Sequence, residues 1–127
     1  MFQDSGLADK AVIVTGGTRG IGRATVDLFS VEGADVTFFY RENTAIANEV
    51  VAAGLAAGHR ITAEQVDVRD SMACHAAVER MAARCGRIDV LVNNSGVIRD
   101  NLLALLEEDD VRTVLDTNVA GVFNVTR

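Results

Sequence analysis

Residues 11–22 of the chain read AVIVTGGTRGIG, an apolar run that ends abruptly in a glycine-rich loop. Residues 11–14 have the length and the β-branched content of a buried parallel strand. Apolar residues at helical spacing follow the loop, at Ile21, Ala24, Leu28 and Val31. Glycine permits a positive φ and a close approach of a ligand, and the amides that open a helix attract anions. The segment predicts a strand, a loop that suits a pyrophosphate, and a helix; a tight connection that binds nothing is the alternative.

The composition is that of one acidic globular domain. The 127 residues include 18 acidic and 12 basic side chains, for a net charge of −6, and 49% are hydrophobic. The arginines are scattered rather than gathered in a stripe, which argues against a nucleic acid partner. No apolar stretch approaches the roughly 20 residues of a membrane span, and residues 1–10 lack a secretory signal. We therefore expect a cytoplasmic protein without a membrane partner.

The two cysteines, Cys74 and Cys85, are eleven residues apart on one predicted helix. At about 1.5 Å per residue they lie roughly 16 Å apart, which excludes a disulfide between them. Reduced thiols fit a reducing compartment. His75 adjoins Cys74, but no second cluster supplies ligands at a workable spacing, so no metal site is predicted.

Strands and helices alternate beyond the first helix. Strands are predicted at residues 35–40, 61–66 and 88–92, where β-branched or apolar side chains gather. A second helix begins with Thr44 as its cap and buries Ile46, Val50 and Ala53. A third covers residues 71–84, is stopped by Gly86, and has an apolar face made by Met72, Val78, Met81 and Ala82. Alternation of this kind predicts an α/β fold with a doubly wound, Rossmann-like parallel sheet.

The last predicted helix has an unbroken apolar stripe with one polar member. The stripe contains Val111, Val114, Leu115, Asn118, Val119, Val122 and Phe123. An unpaired amide at Asn118 would cost about 1 to 3 kcal/mol, so this side chain needs a partner. A structural hydrogen bond to the sheet and a role in a functional site are both open.

Several polar or small segments follow directly after predicted strands. They are the glycine loop, Tyr40-Arg41, Asp67-Val68 and residues 93–96. Ligands of doubly wound sheets bind beyond the carboxyl ends of the strands. We therefore expect these segments to converge on one crevice.

Four motifs occur together in a fixed order: TGGTRGIG at 15–22, Asp67-Val68, NNSG at 93–96, and Asn118 in TNVAG. In this combination the chain resembles the short-chain dehydrogenase/reductase family. Within the family, GVIRDNLL at 96–103 and GVFNVTR at 121–127 are similar to bacterial beta-ketoacyl-acyl-carrier-protein reductases. The resemblance implies that residues 1–127 are the N-terminal part of a single Rossmann-type domain, which stops before the family's catalytic Tyr-x3-Lys segment.

The resemblance also implies roles for particular residues. Asn118 would take part in catalysis by holding a water in a proton relay. Asp67 and Val68 would hold the adenine, and the glycine loop would lie against the pyrophosphate. The full set of implied cofactor-binding residues is Thr15, Gly16, Thr18, Arg19, Gly20, Ile21, Gly22, Tyr40, Arg41, Asp67, Val68, Asn93, Ser95 and Gly96.

The choice between NADP and NAD can be argued from charge. An acidic residue about 20 positions beyond the glycine loop would bind the ribose 2′-hydroxyl of NAD. Tyr40 holds that position here and Arg41 follows it. Arg41 and Arg19 can each hold a 2′-phosphate, so NADP(H) is predicted; the alternative is that both arginines are merely solvated.

The resemblance implies a longer parent enzyme, of which this chain would be the N-terminal part. That enzyme would reduce a ketone, most specifically a beta-ketoacyl thioester, with NADPH, and would assemble as a homotetramer. Tyr40 and Lys10 are the sole tyrosine and lysine, so the chain has no Tyr-x3-Lys pair and is expected to be inactive by itself. Two other classes of function stay open. One is a noncatalytic nucleotide-binding module, and the other is a structural half that assembles with a separate chain.

Overall fold

In the computed structural model, which describes residues 5–95, 108–115 and 121–126, strands and helices alternate as the sequence predicts. Their bounds are β1 (Ala11–Thr15), α1 (Gly20–Val31), β2 (Asp35–Tyr40), α2 (Thr44–Ala56), β3 (Arg60–Gln65), α3 (Ser71–Cys85), β4 (Val90–Val92), α4 (Glu108–Leu115) and α5 (Gly121–Thr126). The predicted third strand is thus displaced by one residue, and the fourth is shorter than predicted at its amino end.

All described strands belong to one parallel sheet with the order β3-β2-β1-β4. β1 is paired on both sides, since Val14 is in register with Phe38 of β2 and with Val92 of β4. Parallel pairing brings the carboxyl ends of all these strands to one edge of the sheet. The predicted Rossmann-like architecture is therefore confirmed.

Helices cover both faces of the sheet, and β1 is buried throughout. Ala11 and Ile13 belong to a core cluster that includes the buried face of α3, whereas Val12 and Val14 belong to a second cluster that includes residues of α1 and α2. A strand buried on both faces requires an uninterrupted apolar sequence, which explains the run at residues 11–14.

The buried face of α1 differs from the predicted one. Ile21 and Leu28 are 79% and 63% exposed, and Val31 is also exposed. The residues turned to the sheet are Gly22, Val26 and Ser30. Apolar side chains occur on two sides of this helix, and the side with the small residues can approach the sheet more closely. Spacing alone does not distinguish these two sides.

The other two long helices show the same correction. In α2, Val50 is buried as predicted but Ala53 is exposed, and Gly54 faces the sheet instead. A Cβ at Gly54 would lie 2.7 Å from Ile61 Cγ2, which shows how closely α2 packs on β3. In α3 the buried residues are Cys74, Ala77 and Met81, whereas Met72 is exposed.

The predicted helix ends are partly confirmed. Gly86 follows α3 in the left-handed conformation with a φ of 79°, and its N–H donates to the Ala82 carbonyl at 2.7 Å. At the start of α3, the Asp70 carboxylate accepts the N–H of Ala73. Thr44 is the first residue of α2 rather than its cap.

The two ends of the predicted apolar stripe lie in helices, the first in α4 and the second in α5. Leu115 is exposed, contrary to its predicted place in a buried stripe, and Val125 of α5 packs against the α3 side of the core. Asn118 and Gly96 lie outside the described residues.

Candidate functional site

A cleft of about 460 Å³ opens at the carboxyl edge of the sheet. Its walls come from the loop after β1, the ends of β2 and β3, and the loop after β4. The lining residues are Gly16, Thr18, Arg19, Phe39, Tyr40, Arg41, Glu42, Asn43, Val66, Asp67, Val68, Asn94 and Ser95. The predicted convergence of distant segments on one crevice is therefore observed.

Eight of the predicted cofactor-binding residues line this cleft: Gly16, Thr18, Arg19, Tyr40, Arg41, Asp67, Val68 and Ser95. Five others are described but do not line it: Thr15, Gly20, Ile21, Gly22 and Asn93. Five further lining residues are not among the predicted cofactor-binding residues: Phe39, Glu42, Asn43, Val66 and Asn94. Asn94 stands inside the NNSG motif, and Glu42 is the acidic residue twenty positions beyond Gly22, so both had a signal in the sequence.

The glycine loop is tied to the neighbouring strand. The N–H groups of Gly16 and Gly17 donate to the Phe39 carbonyl at 2.9 and 3.3 Å. Gly16 has a φ of 69° and Gly20 a φ of 60°, a region that favours glycine. A Cβ at Gly22 would lie 1.9 Å from the Gly16 carbonyl oxygen, so only glycine allows α1 to start this close to the loop.

The first turn of α1 presents backbone amides for a ligand. Arg19 precedes the helix with an extended backbone, and no side chain caps it. The N–H groups of residues 20–22 have no intrahelical acceptor, as at any helix start, and they make no hydrogen bond within the described part of the chain. Their partial positive charge makes this turn suitable for an anion.

Thr15 does not line the cleft but hydrogen-bonds to one of the loops that do. Its side chain is buried, and its Oγ1 accepts the N–H groups of Asn94 and Ser95, both at 2.9 Å. Asn94 Nδ2 in turn donates to the Gly16 carbonyl at 3.2 Å. These bonds hold the loop after β4 against the glycine loop.

Asn93 points to another element. Its Nδ2 donates to Thr126 Oγ1 of α5 at 3.2 Å. The residue thereby connects the end of β4 to a helix on the α3 side of the sheet.

Asp67 is held by Arg69 in a bidentate arrangement. Arg69 Nη2 donates to Asp67 Oδ2 at 2.6 Å, while Nε and the backbone N–H of Arg69 both donate to Oδ1 at 3.0 Å. The hydrogen bonds from the Arg69 side chain lower the pKa of Asp67, and the nearby charge of Arg41 contributes in the same direction. Asp67 is therefore an anion at neutral pH whose acceptor positions are largely occupied.

The two arginines expected to recognise a 2′-phosphate differ in their surroundings. Arg41 Nε lies 3.6 Å from Glu42 Oε1 and 3.6 Å from Asp67 Oδ2. The exposed side chain of Arg19 makes no ion pair or hydrogen bond within residues 5–95, 108–115 and 121–126. Arg19 can therefore bind an anion without giving up another interaction. Arg41 would have to give up its contacts with the carboxylates of Glu42 and Asp67 in order to bind an anion.

Among the described residues, no group of histidine, cysteine and acidic side chains could hold a metal ion. The two cysteines are unpaired by any disulfide, Cys74 buried and Cys85 partly so. None of the helices in the described ranges is long and apolar enough to cross a membrane.

Comparisons with known proteins agree with this architecture. The chain matches the short chain dehydrogenase family over residues 10–127. It is 37% identical over 119 residues to the 3-oxoacyl-[acyl-carrier-protein] reductase FabG of Chlamydia muridarum, an alignment covering 94% of this chain and 48% of that protein.

Solved structures show the same relation. A short chain dehydrogenase from Burkholderia cenocepacia in complex with NADP superposes with a TM-score of 0.90 at 40% identity, covering 94% of this chain and 49% of that one. A blue fluorescent protein from a metagenomic library in complex with NADPH gives 0.88 at 36% identity, with coverage of 94% and 49%. The chain spans about half the length of the relatives it matches, and it belongs to the short chain dehydrogenase family.

Proposed function

We propose that this chain supplies the nucleotide-binding part of an NADPH-dependent reductase that converts a ketone, most specifically a beta-ketoacyl thioester, to the hydroxy compound. The observation that carries the proposal is the cleft lined by Arg19 and Arg41, together with the helix start that directly follows Arg19, where the amides of residues 20–22 have no hydrogen-bond acceptor within the described residues. The relatives named as 3-oxoacyl-[acyl-carrier-protein] reductases support the substrate class.

The described residues fit a dinucleotide. The amides of residues 20–22 would face the pyrophosphate, and the absence of a Cβ at Gly22 lets α1 begin close to the glycine loop. Val68 offers a small apolar surface in the cleft, and Asp67 is the carboxylate beside it. Arg19 and Arg41 would hold the 2′-phosphate through charge-assisted hydrogen bonds.

The bound nicotinamide would supply a hydride to the carbonyl carbon. The proton would come from the Tyr-x3-Lys pair of the family, which is absent from this chain because Tyr40 and Lys10 are its sole tyrosine and lysine. Asn118 would hold a water in that proton relay, as the resemblance implies. We therefore propose residues 1–127 as the N-terminal part of one Rossmann-type domain, inactive without the catalytic pair. The cytoplasmic location and the tetramer stay predictions.

The test is a titration of the protein expressed from its complete reading frame with NADPH and NADH, followed by a turnover assay with an acetoacetyl thioester. We expect at least about tenfold tighter binding of NADPH, which corresponds to about 1.4 kcal/mol. Arg41→Gln should reduce that preference. The control Arg112→Gln, an exposed arginine that does not line the cleft, should keep it.

The outcomes distinguish the proposal from its alternatives. Equal affinity for the two cofactors, or a preference for NADH, contradicts the NADPH assignment. Tight binding without turnover by the complete protein favours a nucleotide-binding module. A reading frame without a Tyr-x3-Lys segment favours a half that assembles with another chain, and NADPH oxidation by the 127 residues alone contradicts their proposed inactivity.

A further inference from the structure

We infer that Glu42 is a specificity-determining residue that weakens the binding of a 2′-phosphate and thereby limits the preference for NADP over NAD. The inference rests on the proposed function, because it concerns the same cleft. Glu42 lines the cleft and lies outside the four sequence motifs.

Glu42 competes directly for the guanidinium that a phosphate would need. Its Oε1 lies 3.6 Å from Arg41 Nε, and within the described residues its carboxylate has no other ion pair or side-chain hydrogen bond. Asp67, at the same distance from Arg41, is already bound by Arg69 in two places. The pairing that a phosphate would have to replace at Arg41 is therefore mainly the one with Glu42.

The charges of the cleft lining are balanced rather than basic. Arg19 and Arg41 are opposed by Glu42 and Asp67, and all four side chains line the same cleft. A phosphate group adds a charge of about −1.5 to −2, so it gains from the arginines and is repelled by the nearby carboxylates. Arg69 offsets the charge of Asp67, whereas the exposed end of Glu42 has no second cation within the described residues.

The unphosphorylated ribose of NAD presents hydroxyl donors instead. A carboxylate accepts hydrogen bonds from such hydroxyls, and acidic residues beyond the second strand act in this way in dinucleotide-binding folds. Glu42 stands at a suitable place, directly after β2 and Arg41. Glu42 would therefore weaken the binding of NADPH and favour the binding of NADH.

The size of the effect follows from exposure. The side chains of Arg41 and Glu42 are 41% and 75% exposed, so solvent screens their charges. Removing the charge of Glu42 should therefore strengthen NADPH binding by about two- to fivefold, and should leave NADH binding unchanged or weaker.

The experiment compares Glu42→Gln with wild type in the protein expressed from its complete reading frame, titrating NADPH and NADH separately. Glu49→Gln is the matched control, because Glu49 is an exposed acid of α2 that does not line the cleft. It removes the same net charge at another place. Titrations at low and at high salt should show that the gain in NADPH affinity shrinks as the Debye length falls from about 30 Å to about 3 Å.

The inference holds if Glu42→Gln tightens NADPH by the stated factor, does not tighten NADH, and Glu49→Gln changes neither. It is overturned if Glu42→Gln leaves NADPH affinity unchanged, if it tightens both cofactors equally, or if Glu49→Gln has the same effect. The wild-type ratio of the two affinities tests the proposed function, and the ratio of variant to wild type tests Glu42. If the wild type prefers NADH but Glu42→Gln binds NADPH more tightly than the wild type, the proposed NADPH preference is contradicted and the inference about Glu42 is supported.

Discussion

Replacing Gly22 by alanine sets two physical effects against each other. Gly22 lies within α1, where alanine has the higher helix propensity by about 1 kcal/mol, so propensity predicts a more stable protein. Packing predicts the reverse. The added Cβ would lie 1.9 Å from the Gly16 carbonyl oxygen, 2.4 Å from Asn94 Nδ2 and 2.8 Å from the Gly16 carbonyl carbon.

The packing effect should dominate. The first of these distances is more than 1 Å shorter than ordinary van der Waals contact, and the oxygen belongs to backbone that cannot rotate away. Either α1 or the glycine loop must move by about an ångström, and such overpacking typically costs about 1 to 3 kcal/mol. A shift of about 1 Å in a binding loop can also cost about 100-fold in activity. We expect Gly22→Ala to lower both the free energy of unfolding and the affinity for NADPH.

Urea unfolding measures the first effect, and a fluorescence titration with NADPH measures the second. Gly58→Ala is the control, because Gly58 has a φ of 80° with open space around it and does not line the cleft. It should lose stability through backbone strain but keep its cofactor affinity. If Gly22→Ala proved as stable as wild type and bound NADPH equally well, the close packing of loop and helix would be refuted.

Three further experiments test the hydrogen bonds of Thr15, the pairing of Asp67 with Arg69, and the burial of Cys74. Thr15→Val leaves two partly buried N–H groups without their acceptor and should lower the free energy of unfolding by about 2 kcal/mol, whereas Thr15→Ser should restore most of it; equal stability of the two in urea would contradict this. Arg69→Gln should raise the pKa of Asp67, measured by NMR titration. Because a lowered native pKa stabilises the fold above the ordinary carboxyl pKa and this contribution is lost as the pH falls through the lowered one, the variant should be less stable than wild type at neutral pH and equally stable in acid. Burial raises the pKa of Cys74 to about 11, so iodoacetamide at about pH 8 should modify the partly exposed Cys85 first, and mass spectrometry showing the opposite order would exclude the described burial.

The architecture could be predicted because it depends on rules that act over whole elements. Alternating strands and crossover helices imply parallel pairing, and parallel pairing brings Gly16, Tyr40, Asp67 and Ser95 to one edge although they are far apart in sequence. The existence of α1 was predicted from the helical spacing of Ile21, Ala24, Leu28 and Val31, although the side of the helix that is buried is another one.

Details that depend on packing between elements could not be predicted. Gly22 and Ser30 of α1 face the sheet and Leu28 does not, because small residues allow the helix to approach the sheet more closely. The spacing of apolar residues in the sequence does not indicate this. Likewise, the pairing of Asp67 with Arg69 depends on side-chain conformation in the turn after β3. The roles of Gly96 and Asn118, which lie outside the described residues, stay predictions.

The hydrogen bonds from Gly16 and Gly17 to the Phe39 carbonyl have a consequence for the thermodynamics of ligand capture. They anchor the turn to β2 in the protein alone, so its backbone entropy is lost during folding rather than on ligand binding. A nucleotide bound there, as proposed, would meet a loop that is already ordered, so its phosphate contacts would not have to offset the entropy of ordering that loop.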